Sequence, residues 1–199
     1  MIYADTESHP FTAEQPIGLH VVSSYSDGRQ VRLVVRDDPA SVPALLRALD
    51  VGIVMHGGAY DMLAWLRVYP EILEPLIDAL EAGRVHDTQL REKMIDHAYG
   101  ARTKASRYDL GTVAELRAGL AVDKSDPWRL LYGGLDGVPL ELWPPGAREY
   151  AERDALVLAP IYAAQETHRD VLTDEPRQVM AALALAAQSA HGMTTDPER

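Results

Sequence analysis

The chain has 199 residues, 47% of them hydrophobic and 25% charged, which suits one globular domain with a sizeable core. It has no cysteine, and this excludes disulfides, thiolate metal sites and sulfur redox chemistry. A formal net charge of −11 argues against a broad basic surface for nucleic acid, yet leaves open a strand received through a few local contacts.

Met1 to Glu7 reads as a first strand, Ile17 to Tyr25 as a second and Gln30 to Arg36 as a third. Short turns join them, Ser26-Asp27-Gly28-Arg29 among these, so an antiparallel meander is expected. The period then changes. Val42, Leu45, Leu46 and Leu49 recur at helical spacing, followed by a short apolar strand, Val51 to Met55. Tyr60 to Val68 and Pro70 to Glu81 read as helices, Val85-His86-Asp87 as a strand and Thr88 to Tyr99 as a helix. The basic stretch Gly100 to Arg107 reads as an exposed loop. Thr112 and Glu115 have capping-box spacing for a short helix ending near Gly119. Asp123 to Pro145, rich in Gly, Pro and Asp, is expected to wrap the surface. A long helix from about Gly146 to His168 and a last one from Pro176 to Ala190 complete the chain. Three antiparallel strands followed by strands alternating with helices predict an α/β protein of the ribonuclease-H-like order, a mixed sheet flanked by helices.

Acidic residues mark the places where chemistry is expected. Asp5 and Glu7 alternate onto one face of the first strand, and two such carboxylates repel unless a cation sits between them. Asp61 lies just inside a helix that follows His56-Gly57-Gly58, where glycines allow close approach of backbone or ligand. Tyr150 and Asp154 stand four apart on the long helix, on a face bordered by Ala147, Ala151, Ala155 and Leu158. His56 reads as a strand-end histidine satisfied by local hydrogen bonds, and the seven histidines show no zinc spacing.

With Asp5-Thr6-Glu7, Ala59-Tyr60-Asp61 and Tyr150-Ala151-Glu152-Arg153-Asp154 in this order, the chain resembles the tyrosine branch of the DEDD 3′→5′ exonucleases. It is most similar there to the proofreading domain of bacteriophage family A DNA polymerases. Asp87 to Leu90 and Trp128 to Leu140 look like segments of those phage domains. The histidine branch places its histidine where this chain has Glu149. The family's His-Asn pair is here His56-Gly57, a departure that implies looser positioning of substrate or loop.

The resemblance implies a metal-dependent 3′→5′ exodeoxyribonuclease spanning residues 1–170, with 171–199 leading toward a polymerase domain in cis or trans. Asp5, Glu7, Asp61 and Asp154 would hold two divalent ions, Mg²⁺ with Mn²⁺ as substitute, and Tyr150 would orient the attacking water. A tyrosine of ordinary pKa, about 10, keeps its proton near neutrality. Phe11 is a candidate to pack on the terminal base of a single-stranded DNA 3′ end, and Arg102, Lys104 and Arg107 to contact its phosphates. A ribonuclease D-like enzyme would keep this site and change the sugar, and a non-catalytic polymerase module is a third reading. No apolar run approaches the roughly 20 residues that cross a bilayer, and no signal-peptide pattern opens the chain. A monomeric cytoplasmic protein without a membrane partner is the expectation.

Overall fold

Alternating and β-branched residues in the first third form β1 (Ile2–Ser8), β2 (His20–Ser26) and β3 (Val31–Val35), in a computed structural model that describes residues 1–12, 15–100, 107–122 and 126–192. The β2–β3 turn closes because Asp27 Oδ1 accepts from the Arg29 and Gln30 amides at 2.8 and 2.9 Å, with Gly28 at a φ of 92°. The chain continues through α1 (Ser41–Val51), β4 (Ile53–Met55), α2 (Ala59–Val68) and α3 (Leu73–Glu81). Then come β5 (Val85–Asp87), α4 (Thr88–Tyr99), α5 (Leu110–Ala118), α6 (Pro145–Gln165) and α7 (Glu175–His191). The strands make one five-stranded sheet in the order β3-β2-β1-β4-β5. β1 is central, antiparallel to β2 and parallel to β4. The architecture is the expected α/β, ribonuclease-H-like one.

Each sheet face buries its own core. Ala4 faces a cluster built with Leu45, Leu49, Met62, Trp65, Leu76 and Val179. The opposite face, with Tyr3, lies under α6, which contributes Val157, Leu158 and Ile161 to one cluster and Tyr150 and Ala151 to another. Strand order reverses between β1 and β4, since β2 and β3 lie on one side of β1 and β5 lies on the other. In open α/β sheets such a switch point, at the carboxyl ends of the strands, leaves a crevice for ligands. Asp5 and Glu7 occupy that end of β1, and the His56-to-Asp61 turn follows that end of β4.

Three local expectations change. The segment before α6 does not simply wrap the surface: its three 3₁₀ turns insert Tyr132 and Trp143, 0% and 2% exposed, into the α6 core. Glycine and proline bar a long helix there, but short turns still leave an aromatic side chain free to point inward. The cap of α5 is Asp109, whose carboxylate accepts from the Thr112 amide at 3.1 Å, rather than Thr112 itself. α6 stops at Gln165, and the chain continues as a 3₁₀ turn through Val171. The first half of α7 packs on α2 and β5 through Val179 and Glu175, while Leu185 further along is 63% exposed. Residues 193–199, where the junction toward a polymerase was expected, lie outside the described residues.

Candidate active site

Three carboxylates converge under α6. Asp5 and Glu7 extend from the α6-covered face of β1, with Ser24 and Val22 as their cross-strand neighbours. Asp154 comes down from α6, and one carboxylate oxygen from each of the three lies within 4.8 Å of the others. Glu7 and Asp154 are buried and Asp5 is half-buried. In an octahedral Mg²⁺ shell at about 2.1 Å, neighbouring and opposite oxygens stand roughly 3–4 Å apart. The cluster therefore suits a hard cation with small side-chain adjustments, and no other group of three or more acids and histidines at such spacing occurs among the described residues.

Tyr150 lies one turn before Asp154 and is buried. Its ring sits 6.2 Å from that of Tyr132, and the Arg153 guanidinium carbon stands 4.8 Å from its centroid. Arg153 Nε is also 3.7 Å from Asp154 Oδ1. Tyr132 donates to the Ala147 carbonyl at 2.6 Å and fixes the start of α6. Burial, then the negative field of Glu7 and the neighbouring Tyr150, Asp154 and Asp5, pushes the Tyr132 phenol far up and keeps it protonated. The sequence marks the stretch around this second tyrosine only by resemblance and assigns Tyr132 no role, because it lies in a turn-rich segment without periodicity.

Asp61 is placed differently. Its carboxylate accepts from the Thr6 hydroxyl, on the strand residue between Asp5 and Glu7 whose side chain alternates to the other face. Asp61 is not one of the three clustered acids. Burial raises it to about 7, with the Thr6 hydrogen bond opposing and Asp87 adding to the rise. The turn before it is held by Asp87, which accepts from the Gly57 and Gly58 amides at 3.0 and 2.9 Å and caps α4 at Gln89 and Leu90. Gly57 has a φ of 71°, and a Cβ on Gly58 would lie 2.8 Å from that of Met55. In place of the family's asparagine the chain thus has a left-handed glycine pinned by Asp87.

A polar cleft of about 510 Å³ opens on Asp5 and Asp154 and is lined by His56, Gln89, Arg107, Asp109 and Leu110 as well. Of the nucleic-acid candidates, Arg107 is thus on the rim of this cleft. Arg102 and Lys104 lie outside the described residues. Phe11 is 68% exposed, its ring 5.7 Å from that of Tyr60, which precedes Asp61. Glu149 is exposed beside Glu152 and Arg153, in a separate groove.

No protein-family model and no curated protein matches the chain. Solved structures do. Brucella melitensis NrnC bound to pGG has a TM-score of 0.69 at 16% identity, covering 100% of this chain and 89% of that one. The same protein with bound Mg²⁺ gives 0.66 at 16% identity, over 100% and 89%. Escherichia coli RNase D, an exoribonuclease involved in structured RNA processing, gives 0.59 at 20% identity, over 97% of this chain and 45% of that one. At such identities the likeness establishes the shared ribonuclease-H-like fold.

Proposed function

We propose that the protein is a metal-dependent 3′→5′ exonuclease that releases nucleoside 5′-monophosphates from single-stranded ends. The convergence of Asp5, Glu7 and Asp154 carries this reading, with Tyr150 one helical turn from Asp154. Asp5, Glu7 and Asp154 would hold one divalent ion, and Asp5 and Asp61 a second, which supply Lewis-acid stabilisation and an activated water. NrnC with bound Mg²⁺ supports the choice of ion. Water attacks the terminal phosphorus, the bond to the penultimate 3′ oxygen breaks, and that oxygen leaves as a new 3′-hydroxyl. Tyr150, buried against Tyr132 and Arg153, offers its hydroxyl as a fixed hydrogen-bonding group that orients the water. Exposed Phe11 is offered as a stacking surface for the terminal base and Arg107 as a phosphate contact.

The finer reading, DNA proofreading beside a polymerase domain in a bacterial or phage-infected cytoplasm, rests on the phage-like stretches around Asp87 and Trp128. A ribonuclease reading is favoured by the likeness to RNase D, an exoribonuclease, and the pGG bound to NrnC supports a nucleic-acid ligand in either reading. Both use one site, since 2′-hydroxyl contacts alone separate them. The test is a 5′-labelled single-stranded DNA and its RNA counterpart incubated with Mg²⁺ or Mn²⁺. A ladder shortening from the 3′ end, abolished by chelator and by Asp5→Ala, is expected. Equal inertness of both strands in either metal would overturn the exonuclease reading.

A further inference from the structure

The cleft holds two polar side chains to which the exonuclease chemistry assigns no task. His56 directly follows β4, and Gln89 lies in the first turn of α4. Both reach the same atom, the Tyr108 carbonyl oxygen, at 2.9 Å from His56 Nε2 and 3.1 Å from Gln89 Nε2. A carbonyl has two lone pairs and no proton, so both nitrogens donate and the oxygen is saturated. His56 Nδ1 is in turn 2.9 Å from Thr88 Oγ1, which lies 3.1 Å from the Met55 carbonyl. Tyr108 is tied a second time by its phenol, which donates to Asp96 Oδ2 at 3.1 Å. Its peptide precedes Asp109, the cap of α5, and follows Arg107 on the rim of the acid cleft. An exposed arginine would otherwise lose rotamer and backbone freedom on gripping a strand, a cost that a fixed backbone reduces.

We propose that His56 and Gln89 are positioning residues. By sharing the Tyr108 carbonyl they hold the backbone that carries Arg107, and so set its guanidinium to take a substrate phosphate entering the cleft. The proposal rests on the exonuclease reading, which supplies the phosphodiester. Arg107 is the contact, and His56 and Gln89 act through it.

The test uses the salt dependence of binding of a single-stranded oligonucleotide, followed by fluorescence anisotropy with Ca²⁺ in place of the catalytic ion. Removing one arginine–phosphate pair lowers the slope of log affinity against log salt by about 0.7 for a single strand. Arg107→Ala, His56→Ala and Gln89→Leu are each expected to reduce the slope by one such step and to weaken binding about tenfold at low salt. His56→Gln, which keeps a donor nitrogen within reach, should restore it. The double variant His56→Ala/Arg107→Ala should show a single step, as expected for coupled residues. A merely structural histidine would lower the melting temperature without moving the slope. An unchanged slope in His56→Ala, or a two-step reduction in the double variant, overturns the positioning role while leaving the exonuclease intact. A wild-type protein that neither binds nor degrades the oligonucleotide overturns both.

Discussion

Two clusters of largely buried acids are matched in different ways. On the α7 side, Glu175 meets Arg91 Nε at 2.7 Å and His86 Nδ1 at 3.1 Å, and Arg91 Nη1 continues to Glu166 at 2.6 Å. Nearby, Glu92 receives Arg117 Nη2 at 2.7 Å and the Gln165 amide at 2.9 Å. In the cleft, the oxygens of Asp5, Glu7 and Asp154 instead approach one another. The first arrangement carries its cations within the chain and serves the fold, while the second, on the proposed function, would take up a divalent cation. Substituting one member of each should show the difference. Asp5→Ala is expected to lower the exonuclease rate by roughly 10³-fold or more, about 4 kcal/mol of lost transition-state stabilisation. Its melting temperature in chelator should be unchanged or higher, because a like charge is removed. Arg91→Met should do the reverse. It leaves Glu175 short of a buried cation and should cost about 3–5 kcal/mol in urea unfolding. Turnover per folded molecule should hold.

The difference between these clusters also marks what could be read beforehand. Strand alternation puts Asp5 and Glu7 on one face, and the four-residue spacing puts Tyr150 and Asp154 on another, so each pair was legible as a local periodicity, while their meeting in one site was what the resemblance implied. The Arg91–Glu175 pair was not, because its members are 84 residues apart and nothing in either neighbourhood signals the other. Tyr132 was hidden for a related reason. Gly- and Pro-rich sequence reads as surface, and only the packed tertiary structure shows Tyr132 and Trp143 of that segment filling the core under α6. The departure at Gly57 was visible in the sequence but not its meaning. The Asp87 carboxylate that pins the turn comes from a different strand.

Asp61 and Glu175 sharpen the comparison through pH. Both are buried, at 6% and 3% exposure, and burial alone would raise either carboxyl. At Glu175 the hydrogen bonds from His86 and Arg91 outweigh burial and hold the group below its usual range. At Asp61 burial prevails and the group rises to about 7. The signs are opposite. A depressed Glu175 stabilises the fold above its unfolded pKa, and that contribution is lost as pH falls through the folded value. A raised Asp61 contributes fully below its unfolded pKa of about 4, and its contribution is lost as pH rises through about 7. In chelator, Asp61→Asn should therefore be more stable than the wild type at pH 8, by up to about 4 kcal/mol, with the gap closing toward pH 4. Urea unfolding of both proteins at pH 4, 6 and 8 measures it, and a gap that widened toward acid would contradict the assignment.

The two tyrosines under α6 give the finest form of the same contrast. Their rings meet at a tilt in one core, but the Tyr132 hydroxyl is committed to the Ala147 carbonyl, whereas Tyr150 stands one turn from the clustered Asp154. Tyr132→Phe should therefore cost about 1 kcal/mol of stability, the ordinary worth of a lost buried hydrogen bond, and leave turnover per folded molecule alone. Tyr150→Phe keeps the ring against Tyr132 and Arg153 and removes only the group proposed to orient water. Its turnover number should fall about 10- to 100-fold, at the lower end of what positioned proton-handling groups contribute. Mn²⁺ affinity by titration calorimetry should stay at the wild-type value, because the three clustered carboxylates remain. Loss of metal affinity in Tyr150→Phe would move the hydroxyl from orienting water to building the metal site.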